Sequence, residues 1–367
     1  MAEEIRRRAF LQLAATAAAG ASGIVAAPRI LTAKKTDSPL ILGEGAHKYE
    51  VQHNWPKLPD KFSWQTTHDV SFDKAGNLYV IHEGRKDKPL HPAIFVFDPE
   101  GNYIRSFGED FQGGGHGLEV HEENGEEFLY VTGYQALKKF AKLTLKGETV
   151  WVRHAPMESG LYAKDEDTHP TNKWGRDRFH PTNIAFRPGS TDFYVADGYG
   201  AYVVHRYDKD ANYKGTFGTP GTEPGQFDTP HGVWIDQRPG REPAVVVADR
   251  KNGRLQWFTL DGEHKETLDG FLLPANVDTF GELMLVPDLQ ARITLLDGKN
   301  KVVAQFGDDE AWRKTVMGPP LTARQHPEDC PNGKFLHPHD ACFDAQGNIF
   351  VCEWVATGRV SKLRKVS

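Results

Sequence analysis

The sequence predicts an all-β protein: a six-bladed β-propeller whose ring is closed by strands from both ends of the chain. Three observations predict this fold. A histidine-containing phrase recurs along the chain, Asp/Gly turn signals follow each copy, and short alternating strands dominate with no competing helical period. The composition agrees, because 39% hydrophobic residues with 36 Gly and 23 Pro are typical of a turn-rich β protein with a real core.

The recurring phrase is a small residue, a histidine, a small residue or Asp, and then an alternating apolar strand. Clear copies lie at 66–73 (TTHDVSFD), 114–120, 229–236 (TPHGVWID) and 337–344, and weaker copies at 180–186 and 273–280. In register, the six equivalent positions are His68, His116, Thr182, His231, Ala275 and His339. Repeats of roughly 40–50 residues with four strands each are typical of propeller blades.

Each unit continues with the turns and strands that a blade needs. Turns such as DKAGN at 73–77 and DAQGN at 344–348 follow the first strand, because Asp and Gly supply the turn conformations. Residues 358–367 look like the third strand of the last blade, and 47–55 can supply its fourth. The predicted propeller therefore spans 45–367, and its closure leaves few exposed strand edges.

The N-terminal segment, 1–40, is interpreted as a twin-arginine export signal and linker. Arg7-Arg8-Ala9-Phe10-Leu11 fits the export pattern, and an Ala-rich apolar stretch follows. We therefore expect a periplasmic or extracellular protein. Pro28 disfavours cleavage after Ala27, so contact with a membrane is expected only if the signal stays uncleaved.

The charge of the chain indicates which classes of partner to expect. The net charge is −6 with no basic cluster after the N-terminus, which argues against nucleic acid and leaves a small-molecule or peptide substrate. We expect a monomer.

The chain has three cysteines, and Cys342 and Cys352 lie on the two arms of one predicted hairpin. They are expected either to form a disulfide or to be two buried free thiols.

Two long intervals in the repeat hold polar, Pro/Gly-containing insertions, at 154–180 and 308–336. Each leads into an innermost strand, so both are expected on the face where those strands begin. Long loops gathered on one face commonly build a binding site.

The register histidines predict a metal site on the propeller axis. Innermost strands line the central channel, so side chains at their starts converge. His116, His231 and His339 occupy every second blade, and three imidazoles with one open position are typical of catalytic zinc, although another divalent transition metal would fit. His68 is a further ligand, a neighbour of the ligands, a substrate contact or a structural residue. Asp340 is either a ligand of Ca²⁺ with backbone carbonyls or a cap on amides between blades.

The segments at 226–258 (QFDTPHGVWID…VVVADRKNGRLQWF), 193–207 and 338–344 resemble NHL-repeat propellers, and most of all the peptidyl-α-hydroxyglycine α-amidating lyase domain. The resemblance covers roughly 45–367. That lyase cleaves a peptidyl-α-hydroxyglycine into a peptide amide and glyoxylate. The resemblance therefore implies a zinc-dependent carbon–nitrogen lyase.

The resemblance also implies roles for particular residues. It implies zinc on His116, His231 and His339, and a structural Ca²⁺ near Asp340 and the carbonyls of Val70 and Leu118. Tyr199, in the DGY segment, matches the catalytic tyrosine, and Arg250, in ADRKNGR, matches an active-site arginine.

The chain departs from the family pattern at several positions. The family has a further arginine after the second strand of the first blade; the simplest register puts Glu83 there, and Arg85, two residues on, is the catalytic candidate. His337 replaces a methionine, and His68 is an additional imidazole. Two other functions therefore stay open: a metal-dependent lactone or ester hydrolase, and a non-enzymatic NHL binding module with a structural metal.

Overall fold

A computed structural model describes residues 39–85, 87 and 90–366 and confirms the six-bladed propeller. The predicted export signal lies outside these residues. Two strands precede the first blade, β1 (Ile41–Leu42) and β2 (Tyr49–Gln52). Within the described residues, no helix has the length and apolarity that a bilayer crossing requires.

Each blade is an antiparallel four-stranded sheet whose first strand is innermost. Blades one to three comprise β3 (Thr67–Phe72), β4 (Leu78–His82), β5 (Ile94–Phe97) and β6 (Tyr103–Phe107); β7 (Gly115–Glu123), β8 (Glu126–Gly133), β9 (Lys139–Thr144) and β10 (Thr149–Arg153); and β11 (Asn183–Phe186), β12 (Phe193–Asp197), β13 (Val203–Tyr207) and β14 (Tyr213–Phe217). A short parallel ribbon of β15 (Thr219–Pro220) and β16 (Gln226–Phe227) follows.

The second half of the ring repeats the pattern. Blades four to six comprise β17 (Pro230–Asp236), β18 (Ala244–Asp249), β19 (Arg254–Phe258) and β20 (His264–Asp269); β21 (Asp278–Phe280), β22 (Leu283–Asp288), β23 (Arg292–Leu296) and β24 (Val302–Phe306); and β25 (Pro338–Phe343), β26 (Ile349–Glu353) and β27 (Arg359–Lys365). Between β24 and β25 lie α1 (Glu310–Val316) and the 3₁₀ turns Thr322–Gln325 and Pro327–Asp329; other 3₁₀ turns are Glu109–Phe111, Met157–Ser159 and Arg250–Asn252.

The ring closes as the sequence predicts. Strand β2 pairs with β27, joining Tyr49 to Lys365 and Gln52 to Lys362, so the N-terminal strand completes the sixth blade. Strand β1 then adds a fifth, outer strand to that sheet. Cys342 and Cys352 are free thiols rather than a disulfide.

The hydrophobic core lies between blades. Val96 of blade one, for example, packs in one cluster with Leu129 and Val131 of blade two, all fully buried. Alternating strands bury one face against each neighbour, which fixes the angular position of every blade. The inner strands are thereby held around a common axis.

Candidate metal centre

Four imidazoles meet on the axis. The ring centroids of His68 and His339 are 4.5 Å apart, those of His68 and His116 4.6 Å, and those of His231 and His339 4.6 Å. The pairs formed by His116 with His231 and with His339 are separated by 4.9 and 5.0 Å. All four side chains are at most 3% exposed. The geometry therefore brings together the four histidines that the repeat aligned.

A break in the strand register turns each histidine toward the axis. In β3, β7, β17 and β25 the ladder shifts where the histidine lies, for instance between Pro230 and Gly232 on either side of His231. Such bulges re-aim a side chain. A Cβ on Gly232 would lie 2.4 Å from Asn276 Oδ1 and 2.5 Å from its Cα, so the close approach of the next blade requires glycine after this histidine.

Carbonyls of the following blade fix three of the rings. The Nδ1 atoms of the even-numbered blades contact the backbone oxygen of the register residue in the next blade: His116 to Thr182 O (2.8 Å), His231 to Ala275 O (2.6 Å) and His339 to His68 O (2.6 Å). A carbonyl accepts only, so each Nδ1 carries the hydrogen. Each Nε2 is then the unprotonated nitrogen, which is the tautomer that a metal ligand needs.

In the part of the chain that the structure describes, the histidines whose ligand atoms all lie within 4.8 Å of one another are His68, His116 and His339, so His231 of the predicted trio adjoins this group rather than belonging to it. The Nε2 atoms of His116 and His231 are 3.2 Å apart, and two nitrogens on one tetrahedral zinc would be about 3.3 Å apart. His339 Nε2 is buried without a hydrogen-bond partner among the described residues. Burial holds the pKa of the His116, His231 and His339 imidazoles well below the usual value, with the neighbouring histidines and Arg250 adding to the shift. Protonation is therefore disfavoured, and a metal ion fits the donor set.

Tyr199 and Arg250 lie against this cluster. The Tyr199 hydroxyl is 2.9 Å from His231 Nε2 and 3.3 Å from His116 Nε2. Arg250 Nη1 donates to the same oxygen at 3.3 Å, and the guanidinium lies 5.1 Å from the Tyr199 ring centre. A phenol oxygen and a guanidinium are thus placed beside the nitrogens.

Arg85 and Glu83, two residues apart in the first blade, lie in different surroundings. Arg85 is exposed and makes a bidentate pair with Asp87. Glu83 instead lies beside the cluster, with Oε2 3.7 Å from His68 Nε2 and Oε1 accepting from Gln135 Nε2 at 3.3 Å. The contacts of Arg85 therefore give no geometric support to the catalytic role predicted for it, and Glu83 is the first-blade side chain beside the imidazoles.

Both insertions reach the rim of the site. Trp174, from 154–180, is half-exposed, and its ring lies 6.0 Å from Tyr134 and 5.9 Å from Tyr199. Arg324, from 308–336, stacks on Trp354 at 3.3 Å and lies near enough to Glu83 and Tyr134 to interact with their charges. The loop lengths indicated which segments to examine, but no periodic pattern identified these side chains.

The first insertion is held rigidly. Lys138 and Glu166 are fully buried and joined at 2.5 Å, while Arg178 Nη1 contacts the second Glu166 oxygen at 2.9 Å. Lys138 Nζ also donates to Lys173 O at 2.9 Å, next to Trp174. A buried, fully paired carboxylate of this kind fixes the loop that carries the rim tryptophan.

Carboxylates occupy the channel beyond the histidines. A cavity of about 140 Å³ is lined in part by Asp69, Glu119, Asn183, Asn276, Asp278 and Asp340, each one or three residues after a register position. Asp69 and Asp340 follow two of the histidines directly, so the sequence contained this signal. Glu119 and Asp278 were not predicted: the bulge at His116 sets the phase of Glu119, and Asp278 lies in β21, whose repeat has Ala275 at the histidine position and whose ladder with β22 has no shift.

Asp340 has the contacts of an inter-blade cap as well as acidic neighbours. Its Oδ2 accepts from Val70 N at 3.0 Å, and its Oδ1 from Asn276 Nδ2 at 2.6 Å. Asp69 accepts from the Leu118 amide and shares a hydrogen bond with Asp340. Burial raises the pKa of Asp69, and the nearby Asp340 raises it further; burial also raises the pKa of Asp278, to about 7. A Ca²⁺ ion would relieve this repulsion, so the carboxylates fit one.

Comparisons with known proteins agree with this architecture. Human NHL repeat-containing protein 3 is 27% identical over 222 residues, which is 58% of this chain and 57% of that protein. Peptidyl-α-hydroxyglycine α-amidating lyase 1 of Drosophila melanogaster is 24% identical over 342 residues, 83% of this chain and 58% of the relative. The mouse peptidyl-glycine α-amidating monooxygenase is 25% identical over 303 residues, but only 27% of its length is matched.

Solved structures show the same fold at lower identity. A streptogramin B lyase superposes with a TM-score of 0.53 at 13% identity, over 88% of this chain and 99% of that one. A virginiamycin B lyase from Staphylococcus aureus gives 0.52 at 12% identity, over 87% of this chain and all of that one.

No family model matches the sequence. The chain is a six-bladed propeller and a homologue, at modest identity, of NHL-repeat proteins and of peptidyl-hydroxyglycine amidating lyases. It spans little more than half of the first relative and about a quarter of the amphibian monooxygenases. The relatives include enzymes, which supports an enzyme family for this propeller.

Proposed function

We propose that this protein is an exported, metal-dependent lyase that cleaves the carbon–nitrogen bond of an α-hydroxyglycyl amide, releasing an amide and glyoxylate. The observation that carries the proposal is the position of the Tyr199 hydroxyl, 2.9 Å from His231 Nε2 and 3.3 Å from Arg250 Nη1. A base, a cationic anchor and metal-ligand nitrogens are thus gathered within reach of one small substrate.

The substrate has the form R–CO–NH–CH(OH)–COO⁻. A divalent metal held by His116, His231 and His339 would bind the substrate hydroxyl and lower its pKa. Tyr199, as a phenolate, accepts the hydroxyl proton. The oxygen electrons form the C=O of glyoxylate, the C–N bond breaks, and the amide nitrogen takes up the bonding pair and the proton that Tyr199 accepted from the hydroxyl. Atoms and charge balance without any oxidant.

Arg250 orients the reacting carbon. A guanidinium binds a carboxylate through paired hydrogen bonds. Its Nη1 already lies 3.3 Å from the Tyr199 oxygen, so a carboxylate bound there would bring the adjacent hydroxyl toward the same oxygen. The exposed Arg85 has no part in this scheme, since its contacts are with Asp87.

The lower channel has a structural role in the proposal. Asp69 and Asp340 would hold Ca²⁺ with the backbone around Val70 and Leu118, joining blades one, two and six. The twin-arginine pattern supports action outside the cytoplasm on a soluble substrate, and the proposed state is a monomer. Size-exclusion chromatography with light scattering, and fractionation of expressing cells, test these two points.

Burial of the imidazoles favours one competing function. At 1–3% exposure, the histidines resemble a closed structural site more than an open catalytic one. A non-enzymatic NHL module with a metal pin is therefore the second candidate. It predicts bound metal with no turnover.

The test is an assay with benzoyl-α-hydroxyglycine, following glyoxylate and benzamide together. The proposal predicts equal release of both products, lost in His231→Ala and retained in the matched surface variant His264→Ala. A parallel assay with a simple lactone covers the hydrolase alternative, because acid release from the lactone without glyoxylate would replace the lyase. Metal-loaded protein inactive on both substrates would favour the binding module.

A further inference from the structure

His68 is a buried imidazole whose charged neighbour, Glu83, lies beyond ordinary hydrogen-bond distance at 3.7 Å from its Nε2. It is 1% exposed, and neither ring nitrogen makes a hydrogen bond among the described residues. A buried imidazole that satisfies neither nitrogen carries a desolvation cost of about 1–3 kcal/mol, so its side chain requires an explanation.

The surroundings of His68 point to a cation. One ligand nitrogen from each of His68, His116 and His339 can be chosen so that the three lie within 4.8 Å of one another. His231 lies outside this group of three, although its Nε2 is 3.2 Å from His116 Nε2. His68 therefore stands in the group of three whose nitrogens are mutually closest, and His231 adjoins that group through His116 and through the ring of His339, 4.6 Å away.

Glu83 places a negative charge beside a group of ligands that are otherwise neutral. Its carboxylate lies 3.7 Å from His68 Nε2, whereas the four imidazoles are neutral donors when they bind a metal. Gln135 donates to the other carboxylate oxygen at 3.3 Å, which holds Glu83 in place. An anion beside a ligand ring raises the affinity of a site for a dication and orients the ring.

We propose that His68 is a fourth imidazole ligand and that Glu83 is its positioning residue, so that the axial centre binds a divalent transition metal through four histidines. Four nitrogen donors occupy the positions of a tetrahedral zinc, so a substrate must expand the coordination or displace one ring. With Glu83 beside Nε2, Nδ1 would be the ligand nitrogen of His68, and the 3.7 Å separation would hold this ring less firmly than the carbonyls hold His116, His231 and His339. This inference rests on the metal centre of the proposed function.

Titration of the full-length apo protein with Co²⁺ tests the proposal through visible absorption, which reports ligand number and type independently of turnover. We expect His68→Ala to weaken Co²⁺ binding at least tenfold and to shift the d–d bands, and Glu83→Gln to weaken it several-fold with smaller band changes. His264→Ala, on the outer strand β20, is the matched control. X-ray absorption of the zinc form should count four imidazoles in the wild type and three in His68→Ala.

His68→Gln provides a second variant of similar size if His68→Ala fails to fold. Wild-type Co²⁺ affinity and bands in a folded His68 variant, or three imidazoles in the wild type, would overturn the proposal. The outcome separates from that of the lyase assay: four-histidine binding without glyoxylate release leaves this inference standing and removes the proposed reaction, and three-histidine binding with turnover does the reverse.

Discussion

Replacing Tyr199 with phenylalanine removes one oxygen from the centre and little else. The ring remains, with its neighbours at 5.4 Å (Tyr134) and 5.1 Å (the Arg250 guanidinium). The lost oxygen is the one 2.9 Å from His231 Nε2. Removal of a hydrogen bond of this kind costs about 1 kcal/mol of unfolding free energy. The substitution therefore separates chemistry from stability.

The expected kinetic loss is much larger than the stability loss. A general base contributes about 10²–10⁴ in rate, or about 2.7–5.5 kcal/mol of transition-state stabilisation. We expect Tyr199→Phe to lower kcat by that factor, with metal content unchanged and KM changed little. The assay measures glyoxylate release from benzoyl-α-hydroxyglycine, with elemental analysis of the same sample. Tyr202→Phe is the control, because the hydroxyl that it removes accepts a hydrogen bond from Thr229 at 3.2 Å. Unaltered kcat in Tyr199→Phe would refute the assignment.

Three further predictions concern the scaffold. Gly232→Ala should lose about 2–3 kcal/mol of unfolding free energy in urea titration, because the added Cβ would lie 2.4 Å from Asn276. Gly298→Ala is the control and should lose little, because the only atom within 4 Å of its added Cβ lies at 4.0 Å. Equal losses in the two variants would contradict the argument that the next blade approaches Gly232 too closely for a side chain. Burial lowers the pKa of His205 to about 3, so below pH 6.5 the unfolded chain binds a proton that the folded chain does not, and the free energy of unfolding falls as pH decreases. His205→Gln should therefore remove about 2 kcal/mol of the stability that the wild type loses between pH 7.5 and 5. An unchanged pH dependence of stability in this variant would contradict the role of His205. Ca²⁺ at about 100 times its Kd should raise Tm by roughly 5 °C in wild type but not in Asp340→Asn; an equal rise in both would exclude Asp340 as a ligand.

The sequence predicted the ring and its axis because both follow from a repeat. A phrase that recurs at one register position places its histidine at the same point of every blade, so convergence of His116, His231 and His339 required no knowledge of packing. Strand closure by 47–55 followed from the same counting. The closed ring of blades follows from a repeated local sequence pattern, and such a pattern can be recognised from the sequence alone.

The remainder of the site depends on irregular geometry. The bulge at His116 also sets which later residues of β7 face the channel, so Glu119 could not be assigned beforehand, and Asp278 lies in a blade whose register residue is Ala275. Trp174 and Arg324 come from insertions without a period, and their placement depends on buried contacts such as Lys138 with Glu166. Glu83 and Arg85 are two residues apart, and only the fold distinguishes a side chain at the centre from one in solvent.

Metal content of the purified protein tests the central claim most directly. After loading with Zn²⁺ and exhaustive dialysis, elemental analysis should give about one zinc per chain in the wild type and in His264→Ala, and almost none in a folded His231→Ala. Full retention of zinc in His231→Ala, with an unchanged circular dichroism spectrum, would contradict a metal held on the propeller axis.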